Sequence, residues 1–165
     1  MSKNLAFDFT VDKEKKTISI QREFAAEVSL VWDAYTMPEI LDLWWAPKPW
    51  KTITKTMDFR EGGHWLYAMV GPEGEEHFAL ASYKIIQPQK RFTGLDAFAD
   101  AEGNINQDLP QSMWEVQFTD KGKMTLVEFQ ITFEDLVQLE ATIEMGFKEG
   151  FTSALGNLDQ YLESL

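Results

Sequence analysis

Residues 135–165, DLVQLEATIEMGFKEGFTSALGNLDQYLESL, decide how the rest of the chain must fold. Leu136, Leu139, Ile143, Phe147, Phe151, Leu155, Leu158, Leu162 and Leu165 step by three or four residues. That spacing predicts one long amphipathic helix running to Leu165, with Asp135 as its cap. The opposite face carries Glu140, Glu144, Glu149, Asp159 and Glu163 and reads as a solvated surface. Gly146 and Gly150 fall one turn apart inside the stripe. Glycine in a helix interior costs about 1 kcal/mol relative to alanine, so a close approach to the sheet or to a ligand is expected there.

Upstream of this helix the period changes from helical to alternating. Trp114, Val116 and Phe118 precede the turn Asp120-Lys121-Gly122-Lys123, and Val127, Phe129, Ile131 and Phe133 follow it, which predicts a hairpin. Arg60-Glu61-Gly62-Gly63 and Gly71-Pro72-Glu73-Gly74 mark two more turns between strands bearing Met57, Phe59, Trp65, Tyr67, Phe78 and Tyr83. Thr17 to Phe24 alternates and reads as the first strand. Two short helices follow it, one capped by Ser29, the other opened by Pro38 and ended by Pro47 and Pro49.

A single amphipathic helix must bury its stripe, and the available partner is one face of the sheet. The expected architecture is therefore α+β: a curved antiparallel sheet of six to seven strands wrapped on one long C-terminal helix, with two short helices after the first strand. A sheet curved around one helix leaves a cavity unless large side chains fill it. Residues 1–165 read as one domain, with 1–16 as an N-terminal extension.

Composition narrows the functional classes. Fifteen Lys and Arg against 27 Asp and Glu give a net charge of −12, a surface that repels phosphate backbones and anionic lipids. Nucleic-acid and membrane binding are not expected. The absence of cysteine removes disulfides and thiolate chemistry, and with no signal-like N-terminal segment the chain reads as a cytoplasmic protein. Asp58-x-x-Glu61-x-x-His64 crosses a turn and is no ligand spacing, and His77 lies on another strand, so no metal is expected. No nucleophile elbow, phosphate loop or dinucleotide fingerprint occurs, so no cofactor is expected either.

Several stretches carry a resemblance. Ile20-Gln21-Arg22-Glu23-Phe24, Val31-Trp32-Asp33-Ala34-Tyr35 with Pro38-Glu39, and Trp44-Trp45-Ala46-Pro47 open it. Asp58-Phe59-Arg60-Glu61-Gly62-Gly63-His64-Trp65, Pro88-Gln89-Lys90-Arg91 and Met145-Gly146-Phe147-Lys148-Glu149-Gly150-Phe151 continue it in order. Over residues 17–165 the chain resembles the AHSA1-like branch of the SRPBCC superfamily, named for the activator of a heat-shock chaperone's ATPase. One departure is Ala25-Ala26, where the family usually has Ala-Pro. The resemblance implies the helix-grip fold shared with the birch-pollen allergen and START-like lipid-transfer domains. It implies less about function, because one fold hosts many activities.

The candidate cavity lining is Trp44, Trp45, Trp65, Tyr67, Phe78, Tyr83, Trp114, Phe147 and Phe151. Aromatics line small-molecule pockets, yet the same residues would serve a filled core. The first functional reading is a non-catalytic protein whose cavity takes a small apolar or amphipathic ligand. The second is a co-chaperone-like module that docks a chaperone, its acidic helix being the candidate surface. The third is a polyketide cyclase- or dehydratase-like enzyme using His64, His77 or a carboxylate. Exposed sheet edges are compatible with a monomer or a homodimer.

Overall fold

Alternating apolar residues make strands with one face to bury, and the computed structural model, which describes residues 5–165, pairs eight of them in one sheet. In chain order they are β1 (Phe7–Asp12), β2 (Thr17–Phe24), β3 (Lys51–Asp58), β4 (His64–Val70), β5 (Glu76–Gln87), β6 (Arg91–Ala99), β7 (Gln111–Asp120) and β8 (Thr125–Phe133). Their spatial order is β1-β2-β8-β7-β6-β5-β4-β3, every pair antiparallel. The helices are α1 (Val28–Thr36), α2 (Pro38–Trp44), α3 (Leu136–Glu144) and α4 (Phe147–Glu163). No helix among the described residues is long and apolar enough to cross a membrane.

The α+β helix-grip architecture is as expected, with differences in detail. The sheet has eight strands rather than six or seven. The added one is β1, which lies within the expected 1–16 extension and pairs with β2 from Phe7↔Arg22 to Asp12↔Thr17. Its side chains are mostly exposed, so Phe7–Asp12 carries little of the burial pattern that identifies a strand. α1 starts at Val28 with Glu27 at its cap position, and Ser29 makes no capping bond. Ala26, where the family's proline is missing, is held instead by its carbonyl, which accepts from Thr125 Oγ1 at 2.8 Å.

The long C-terminal helix is interrupted. Asp135 caps α3 as expected, its Oδ1 accepting from the Gln138 N–H at 2.9 Å. The helix then stops at Met145, because Gly146 adopts φ 88°, a left-handed conformation that opens α4 on a new axis. Gly146 thus serves a bend rather than a close approach. Gly150 is helical, and a methyl group there would rest 3.7 Å from Pro47 Cγ.

The core lies between the concave face of the sheet and α4. Ile18, Ile20, Phe24, Val127, Phe129, Ile131 and Phe133 supply the sheet side, and Phe151, Ala154, Leu155, Leu158 and Leu162 the helix side. Arg22, on the same face of β2, ion-pairs with Asp159 of α4 and stacks over the Phe24 ring at 4.9 Å. α1 and α2 close one end of this sandwich. Asp42 of α2 accepts from Thr54 N and Oγ1 of β3 at 3.0 and 2.6 Å, and Asn157 of α4 donates to Ala46 O at 3.0 Å.

The two glycines should respond oppositely. Gly146→Ala forces an L side chain into the left-handed region and should lower unfolding stability by about 1–2 kcal/mol. Gly150→Ala fits its space and should raise stability by about 0.4–1 kcal/mol. Equal effects of the two substitutions in urea titrations would contradict the break at Gly146.

Candidate functional site

Side-chain volume is unevenly distributed along the concave face. Towards α1 the aromatic residues interlock: Trp32 lies 5.0 Å from Phe118, and Tyr35 lies 4.9 Å from Trp44 and 5.5 Å from Phe118. Across the central strands the inward positions are smaller. Tyr67 of β4 pairs with Ala79 of β5, Trp65 with Ala81, and Tyr83 with Gly94 of β6. Gly94 faces an irregularity in β5, and a Cβ there would lie 2.9 Å from Ser82 O, so the strands approach too closely for a side chain.

Two chambers occupy the resulting space. The inner one, about 50 Å³, is lined by residues including Tyr35, Leu41, Trp45, Trp65, Ala81, Tyr83, Gly94, Asp96 and Trp114. The outer one, about 260 Å³, lies between Tyr67, Met69, His77, Ala79, Asp96 and Phe98 of the sheet and Thr142, Met145, Phe147, Gly150 and Phe151 of α3 and α4. Trp45, Asp96 and Trp114 line both. His77 and Met145 are exposed, so the outer chamber reaches the surface beside the α3–α4 bend.

An aromatic lattice frames this space. Trp65 and Tyr67 stack at 4.0 Å, and Trp45 lies 5.5 Å from Trp65 and 6.1 Å from Trp114. Phe151 of α4 packs 5.8 Å from both Trp45 and Trp114 and stacks on Phe147 at 5.3 Å. The indole N–H groups are satisfied within the protein: Trp45 donates to Tyr67 Oη at 3.0 Å, Trp65 to Thr54 Oγ1 at 3.0 Å, and Trp114 to Ser112 Oγ at 2.9 Å. The rings are thereby fixed in place and present their apolar surfaces to the chambers.

Seven of the nine expected lining residues meet here: Trp45, Trp65, Tyr67, Tyr83, Trp114, Phe147 and Phe151. Trp44 does not. It is 1% exposed, donates to Ala34 O at 2.9 Å, and belongs to the packed end beside Tyr35. Adjacent residues on a helix turn about 100° apart, so only one indole of the pair can face the chambers. Phe78 does not either. Its neighbours His77 and Ala79 point into the outer chamber, so the pleat sends Phe78 to the other face of the sheet, where its partners are Ala68 and Ala99. His64, also raised as an acid–base candidate, shares that outer face and meets Thr56 Oγ1 at 2.9 Å.

Asp96 is the residue that the sequence reading missed. It lies on β6 at the inward parity of Phe92, Gly94 and Phe98, with part of its surface in the chambers. Burial alone pushes its carboxyl up to about 7. The same burial, with Asp96 nearby, pushes the Tyr67 and Tyr83 hydroxyls up, so both stay neutral. A charged residue on the apolar parity of an alternating strand was the signal available. Among the described residues no cluster of three His, Asp or Glu side chains suits a metal ion.

A family model described as AHSA1, activator of Hsp90 ATPase homolog 1-like protein, matches residues 25–163. Among solved structures, protein Ms6760 from Mycobacterium smegmatis is 32% identical, with 96% of each chain covered and a TM-score of 0.87. A protein from Arthrobacter aurescens is 29% identical, covering 96% of this chain and 92% of its own, with a TM-score of 0.90. The AHSA1 protein from Silicibacter pomeroyi, at 18% identity, shares the fold over 89% of this chain and 97% of its own, with a TM-score of 0.70. Comparison with curated proteins gave no match.

Asp96 should leave a signature in stability. Its folded-state pKa of about 7 lies above the unfolded value near 3.9, so the folded state binds the extra proton between them. This contribution to stability therefore falls as pH rises from about 4 to about 7 and is flat above. Asp96→Asn should melt a few degrees higher than wild type above neutral pH, with the gap closing towards pH 4. A gap independent of pH, measured by thermal unfolding, would contradict the burial of this carboxyl. With the family model spanning most of the sequence and the fold matching along its length, the chain belongs to the AHSA1 family.

Proposed function

We propose that this protein binds a small amphipathic molecule in the outer chamber, between β4–β6 and the α3–α4 bend, without transforming it. The observation that carries this reading is a surface-reaching space of about 260 Å³ whose walls are aromatic and whose indole N–H groups are already satisfied. Such a space gains by apolar burial at roughly 25 cal/mol per Å² and favours ligands smaller than those of large lipid-transfer cavities. The inner chamber, about 50 Å³, continues the apolar wall past Trp45 and Trp114, with Asp96 as its one carboxyl. Ionisable side chains facing the space are few, and acid–base chemistry there would run through Asp96 or His77.

The family description favours a second reading, contact with an Hsp90-type chaperone. Its surface would be the acidic side of α4, around Glu149 and Glu163, since Asp159 is engaged by Arg22. Stimulation of a purified chaperone's ATPase, lost at high salt, would support this reading.

The cavity reading is tested by native mass spectrometry of the purified protein and by equilibrium dialysis against single-ring amphipathic molecules. Saturable one-to-one binding is expected, weakened roughly tenfold by Phe147→Ala and unchanged by Leu43→Ala on the exposed side of α2. A bare mass together with no saturable binding would contradict it.

A further inference from the structure

We propose that the ligand is an organic cation: a small amine whose apolar body lies among Trp45, Tyr67, Trp114 and Phe151, and whose ammonium group meets the carboxylate of Asp96. This rests on the chamber being a ligand site and names the chemistry it selects. Asp96 lies where the two chambers adjoin, and no ion pair engages it among the described residues. No lysine or arginine lines either chamber. A buried carboxylate without a countercharge is costly and takes up a proton instead, which the burial-driven rise of its pKa to about 7 expresses. An ammonium group supplies the missing countercharge and displaces that proton.

The walls suit the same chemistry. Indole and phenol faces attract cations through their quadrupoles, most strongly when water is excluded, and Trp45, Trp65, Tyr67 and Trp114 surround the carboxyl's chambers. A neutral ligand would leave Asp96 unpaired. An anion would meet both Asp96 and a protein of net charge −12, which instead draws cations towards the mouth. The titratable groups sharing the chamber walls with Asp96 are Tyr35 from α1, Tyr67 from β4 and Tyr83 and His77 from β5; α2, α3, α4, β7 and β8 contribute none. Lowering the pH through neutrality protonates Asp96 and should weaken the amine.

Isothermal titration of the full chain with phenethylamine, phenethyl alcohol and hydrocinnamate separates the two claims. Phenethylamine should bind one-to-one at least roughly tenfold more tightly than phenethyl alcohol, and hydrocinnamate should bind weakest. Asp96→Asn should abolish the amine's preference while retaining the alcohol, and His77→Gln should keep the preference. With the wild-type protein alone, the amine's binding enthalpy should vary with the buffer's ionisation enthalpy near neutral pH, reporting the proton released. Alcohol bound as tightly as the amine, or no proton release, would overturn the cation while leaving the cavity reading intact. No binding of any of the three would overturn both.

Discussion

The contact on which the structure turns is the seat of α4 on the concave sheet, centred on Phe151. Its ring lies 5.2 Å from Phe129 of β8 and 5.8 Å from both Trp45 and Trp114, so one side chain joins helix, sheet and the end of α2. Below it along α4, Ala154, Leu155, Leu158 and Leu162 continue the buried stripe, and Asp159 anchors the helix to Arg22. The helix is thus fixed over β2 and β8, on one side of the sheet. Over β4, β5 and β6 the sheet curves away, and the small residues Ala79, Ala81 and Gly94 do not refill the gap. The chambers follow from where the helix is pinned and where volume is missing.

The bend at Gly146 completes this geometry. A straight continuation from α3 would not reset the axis at Phe147; the left-handed residue does, and it places the end of α3 and the start of α4 along the rim of the outer chamber. The electrostatics sit on the same frame. The rings held by indole hydrogen bonds make a rigid apolar wall, and a single carboxyl on β6 breaks it. A preformed wall of this kind loses little conformational entropy when it receives a ligand.

Most of the framework was legible because it rests on periodicity and turn chemistry. The alternation in β7 and β8, the hairpin turns, Pro38 at the start of α2, Asp135 as a cap and the apolar stripe of α4 all express local rules. What escaped depends on partners distant in sequence or on the difference of one position. β1 is held by pairing with β2 rather than by a buried face. The stripe from Leu136 to Leu165 keeps its spacing across Gly146, so the break is invisible to periodicity and is read only from the backbone. Trp44 and Trp45 are chemically identical and part company through a turn of one residue. Phe78 was assigned to the wrong face by composition, whereas strict counting from Trp65 and Tyr67 across the turn requires the register that the sheet supplies. Asp96 needed the same parity argument applied to a charged residue.

Trp45 and Trp114 border the chambers, while Trp44, next to Trp45 in sequence, is sealed in the core. Indole N–H resonances of the six tryptophans, followed by NMR during titration with phenethylamine, test this arrangement directly. Saturable shifts are expected at Trp45 and Trp114, smaller ones at Trp65, and none at Trp44. Shifts confined to Trp50, which lies beside His77 outside the chambers' walls, or spread evenly over all six, would contradict it.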